Sequence, residues 1–89
     1  MDGVMWVPSR TQAVQLTVTN VGEVLSWLRG YLPYEKARES WTTNSIRVGK
    51  HGHYVTTGDW VVLDLLTNKV YAVNSGTDRA VALGLEEEA

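Results

Sequence analysis

The chain has 89 residues, a formal net charge of −2 and no cysteine. That length allows one domain with one marginal core, and the missing cysteines exclude disulfides and thiolate metal sites. The small negative charge argues against broad nucleic-acid binding and is too slight for a DNA mimic.

Residues 1–10 read as a mobile lead-in, broken by Pro8-Ser9-Arg10. They lack the basic start and long apolar run of a signal peptide. No stretch of the chain is long and apolar enough to span a bilayer, so a soluble, cytoplasmic protein is the expectation. Val14, Leu16 and Val18 then alternate with Gln15, Thr17 and Thr19, the period of a strand over 12–18. A helix follows over Val21 to Arg29. Asn20 is a favoured N-cap, and Glu23 stands in a capping-box relation to it. Val21, Val24, Leu25 and Leu28 share one helical face, Trp27 lies at the edge of that stripe, and Gly30 sits where a left-handed C-terminal residue belongs.

In segment 31–45, Pro33 can open a second short helix. That helix would place Tyr34, Ala37 and Trp41 on one face. Tyr31, Tyr34 and Trp41 either cover the core or anchor a binding surface, where aromatics are enriched. Ile46-Arg47-Val48 opens a strand, Lys50-His51-Gly52-His53 reads as a hairpin turn, and a strand returns over 53–57. Gly58-Asp59 forms a bend into the apolar run 60–66. Thr67-Asn68 is a turn of hairpin length, and 69–73 is the next strand. Ser75 or Thr77 caps a short helix ending near Leu83, and 85–89 either adds an edge strand or trails as an acidic tail.

Run 60–66 is apolar at both parities, with Trp60 and Val62 on one face and Val61, Leu63 and Leu65 on the other. Such a strand needs cover on both sides. With one well-signalled helix in view, Val61, Leu63 and Leu65 are the expected contact surface of a homo-oligomer. A closed barrel is the competing way to bury them. The resulting fold class is α+β: one domain over 1–89, a mostly antiparallel sheet of about five strands, and one main helix (21–29) packed on one face.

No residue set compels a chemistry. His51 and His53 with Asp59 or Asp64 would make an incomplete zinc site, and exposed turn histidines are the better reading. Asp59 has a role in its bend and Asp64 at a strand end. No serine lies in a nucleophile elbow, and the glycines fall at turns instead of in a phosphate loop. No catalytic residue, metal or cofactor is therefore expected. Arg38, Arg47, Lys50 and the histidines give the middle of the chain a basic excess beside Trp41 and Tyr54, which suits an anion or nucleotide pocket. The candidate binding residues are Tyr34, Arg38, Trp41, Arg47 and Trp60.

Four segments carry a resemblance to a family: Gln12-Ala13-Val14-Gln15-Leu16, Val24-Leu25-Ser26-Trp27-Leu28, Thr57-Gly58-Asp59-Trp60-Val61-Val62, and Asn68-Lys69-Val70-Tyr71. In this order they resemble small phage-encoded proteins of unknown function with a Gly-Asp-Trp/Tyr-Val/Ile-Val/Ile strand motif. Thr57 stands where that group usually has Pro, 31–45 reads as an insertion, and Arg79 to Leu83 replaces an acidic aromatic stretch. The resemblance implies a non-catalytic accessory protein that acts by binding a host protein inside an infected bacterium. The alternative is a module that binds a small anionic ligand such as a nucleotide signal.

Overall fold

The computed structural model describes residues 3–7, 11–33, 36–39 and 45–87. The architecture is α+β in the broad sense and largely β. Among the described residues, seven strands form two antiparallel sheets. The first has the order β1-β2-β6-β7, from β1 (Met5–Val7), β2 (Thr11–Gln15), β6 (Trp60–Asp64) and β7 (Lys69–Val73). The second has the order β3-β4-β5, from β3 (Ala37–Glu39), β4 (Ser45–Val48) and β5 (His53–Thr56). The main helix α1 spans Val21–Arg29, and a short helix α2 spans Asp78–Ala82.

Two sheets replace the single sheet expected from the sequence, and β2 and β6 are buried on both faces. On the inner face, Val14, Leu16, Val61, Leu63 and Val70 pack with Val24, Leu25 and Leu28 of α1 and with Ile46, Val48 and Val55 of the second sheet. On the outer face, Ala13, Trp60, Val62 and Val73 pack with Ala80 of α2, with Val7 and with Leu85. Val61 and Leu63 are thus wholly buried within one chain, and Leu65 is half-buried against the same core. This corrects the expectation that they face a second copy: the cover was supplied by a second sheet that strand periodicity alone could not place.

Other boundaries shift for local reasons. The lead-in contains β1, which pairs with β2 from Met5–Ala13 to Val7–Thr11. The first expected strand ends at Gln15, and Val18 lies exposed in a turn. Asn20 does not cap α1 with its side chain. Its Oδ1 accepts from Thr17 N (2.7 Å) and its Nδ2 donates to Gln15 O (2.9 Å), tying the loop before the helix. Gly30 is right-handed, with φ −70°, so the chain rolls on and buries Leu32 through Leu32 N to Leu28 O (2.8 Å). Thr77 caps α2, accepting from Ala80 N (3.3 Å). Of the short helix that Pro33 could open, the described residues show a 3-10 turn at Lys36, whose N–H donates to Pro33 O (3.0 Å), and then strand β3.

Gly58-Asp59 is where the chain passes from one sheet to the other. Gly58 has φ +99°, a conformation costly for residues with a Cβ. Its N–H donates to Leu16 O (2.7 Å), and its carbonyl accepts from Gln15 Nε2 (2.8 Å). Asp59 accepts from Thr56 Oγ1 (2.9 Å) and Ser75 N (3.1 Å), holding both flanks. Two residues of the segment expected as an acidic tail are held down: Leu85 is buried, and Glu86 accepts from Trp60 Nε1 (2.7 Å), Ser75 Oγ (2.7 Å) and Gly76 N (2.8 Å). Those bonds, led by Trp60, hold the Glu86 carboxyl below its ordinary range. Among the described residues, no helix is long and apolar enough to cross a membrane.

Candidate functional site

The second sheet turns one face to the core and the other outward. Ala37, Ile46, Val48 and Val55 take the inner positions. The alternation of strand side chains then sends Arg38, Arg47 and Tyr54 outward. Register lines these three up: Arg38 is opposite Arg47, and Arg47 is opposite Tyr54. Two guanidinium groups on adjacent strands repel unless an acid or a bound anion lies between them. The Nε atoms of both arginines are buried and lack a hydrogen-bond partner among the described residues. The acid of β3, Glu39, does not serve them, because it is engaged by Arg29 Nη2 at 3.3 Å. Its own backbone N–H, the largest influence, holds its carboxyl below the ordinary range; desolvation comes next and opposes this, and Arg29 adds a further lowering.

Next to this pair lies a groove of about 480 Å3 between the β4–β5 and β6–β7 hairpins. Lys36, Lys50, His51, His53 and Lys69 line it, and among the described residues no acid does. Gly49 sets one wall with φ +80°, its N–H donating to Lys36 O (2.9 Å). Gly52 lies close under the arginines, so that a Cβ there would come within 3.5 Å of Arg38 Nη2. A second hollow of about 340 Å3 shares His53 and Tyr71 with the first and adds Tyr54, Asn74 and Arg79. The guanidinium of Arg79 stands 5.0 Å from the Tyr71 ring centre. Lys36, Arg38, Arg47, Lys50 and Lys69 together are five of the chain's eight Lys and Arg residues. A net charge of −2 therefore conceals a strongly cationic end.

The structure brings together Arg38 and Arg47 of the sequence candidates, with Tyr54, which the sequence set beside the same basic excess, opposite Arg47. Tyr34 and Trp41 lie outside the described residues. Trp60 does not join the site: it is buried in the outer core with its Nε1 bound to Glu86. Lys36 and Lys69 were not legible as site residues, because they meet only through the approach of two hairpins distant in sequence. Among the described residues, no group of three or more His, Asp or Glu could hold a metal ion. Family models, curated proteins and solved structures provide no match to this chain.

Proposed function

We infer that this chain is a non-catalytic binding domain that captures a phosphate-bearing anion at the seam between the two hairpins. The observation that carries this reading is the convergence of Lys36, Lys50 and Lys69 with His51 and His53 on one groove that no described acid lines. Bringing like charges together opposes folding, and a bound anion relieves that cost. Lysine suits the task because its ammonium is a compact point charge with three donors that can follow a phosphate as it settles. Arg38 and Arg47 beside the turn extend the same field and raise the local concentration of anions.

Thermal unfolding with inorganic pyrophosphate tests this. A ligand at 100-fold its Kd stabilises a fold by about 2.7 kcal/mol, an easily measured rise in Tm for a chain of this size. Lys50→Ala should cut the rise, since Lys50 is an exposed residue that lines the groove. A melting curve that neither pyrophosphate nor tripolyphosphate moves refutes the reading.

A second reading, binding of a host protein, follows from the resemblance to phage accessory proteins. Trp6 favours it: this large side chain is 65% exposed on the edge strand β1, and Trp is enriched at interface hot spots. Capture of a bacterial protein by the wild type but not by Trp6→Ala supports this reading. Equal capture by both removes its structural basis.

A further inference from the structure

The geometry points to a nucleotide as the anion, with its phosphates on the lysines and its base on Tyr54. This rests on the phosphate-binding reading above and deepens it. The two hollows share His53 and Tyr71 and so adjoin along β7. Lys69 at one end and Asn74 at the other are five residues apart, so together the hollows run about 17 Å at the usual strand rise. Their volumes, about 480 and 340 Å3, fall within the usual range of small-molecule sites, about 300–1,000 Å3.

The two halves differ in chemistry. The first presents ammonium groups and imidazoles. The second presents the Tyr54 and Tyr71 rings, the Asn74 amide and the planar Arg79 guanidinium. Arg79 already occupies one face of Tyr71, whereas Tyr54 is 57% exposed and offers an uncommitted ring. Aromatic rings and guanidinium planes are the surfaces on which bases stack. An exposed Asn amide supplies both a donor and an acceptor to a base edge. A simple phosphate would leave this second half unused. A long nucleic-acid strand would need cations along its whole path, but Lys36, Lys50 and Lys69 gather in the first half and Arg79 alone of the Lys and Arg residues lines the second. A ligand with an anionic head and a flat π-system matches both halves.

Isothermal titration with adenosine diphosphate, inorganic pyrophosphate and adenosine decides the point. Adenosine diphosphate should bind about fivefold or more tightly than pyrophosphate, the low end of what base–aromatic stacking contributes. Tyr54→Ala should remove that advantage while leaving pyrophosphate affinity unchanged, and its circular dichroism should match the wild type because Tyr54 is exposed. Equal affinities for the diphosphate and pyrophosphate overturn the nucleotide assignment but leave the phosphate reading standing. A preference that survives in Tyr54→Ala also overturns it. If neither anion binds the wild-type chain, both readings fall together.

Discussion

Arg47→Met should make the protein more stable. Arg47 faces Arg38 across the β3–β4 pair, and the Nε of each is buried without a partner among the described residues. Relieving a like-charge cross-strand pair is worth about 0.2–1 kcal/mol. Removing a buried unsatisfied donor is worth about 1–3 kcal/mol. The low end of the second range applies, because Arg47 is only half-buried and the rest of its guanidinium reaches water. Methionine keeps an unbranched apolar stem over the sheet, so little packing is lost. The net gain is about 1–2 kcal/mol. At about 4–8 °C per kcal/mol for a domain of this size, Tm should rise by about 4–16 °C. Circular dichroism melts at low and high sodium chloride provide the assay, and salt should help the wild type more than the variant because it screens the repulsion. An unchanged or lower Tm for Arg47→Met at low salt would refute the claim that this pair is held together at a cost to the fold.

Leu63→Ala removes a wholly buried side chain from the central strand and should cost about 2–5 kcal/mol. That loss should not vary with protein concentration, and a concentration-dependent loss would return Leu63 to an intermolecular contact. Gly58→Ala should cost about 1–2 kcal/mol from backbone strain alone, since φ is +99° while an added Cβ would meet nothing within 4 Å; an unchanged denaturant midpoint contradicts that conformation. Glu86 supplies a pH dependence. Its folded-state pKa lies below the unfolded one, so its contribution is present above the unfolded value and is lost as pH falls through the folded value. Wild-type Tm should therefore fall more steeply than that of Glu86→Gln on acidification through the carboxylate range, and parallel curves would show that the Trp60–Glu86 bond does not form.

The parts of the fold that were legible in the sequence are those governed by local periodicity. The α1 face, the β4–β5 and β6–β7 hairpins and the Gly58-Asp59 bend each rest on neighbours within a few residues. The apolar faces of 60–66 were also readable, but what covers them was not, because parity states that a face is buried without naming its partner. The cover comes from a second sheet and from Leu85, both set by long-range packing. Asn20 shows the same limit at small scale: its amide had two local uses, and tying Gln15 to Thr17 displaced the cap. In the site, Arg38 and Arg47 were legible as a basic excess. Lys36 and Lys69 were not, since two hairpin ends must meet before their charges converge.

Titration of inorganic pyrophosphate into the intact chain by calorimetry, at low and at moderate salt, tests the central claim most directly. The wild type should bind with an affinity that weakens as salt rises. A Lys50→Glu, Lys69→Glu double variant with unchanged circular dichroism should show no binding, because both side chains are exposed on the groove. Absence of binding to the wild type at low salt, or undiminished binding by the double variant, would contradict the assignment of this cationic groove as the anion site.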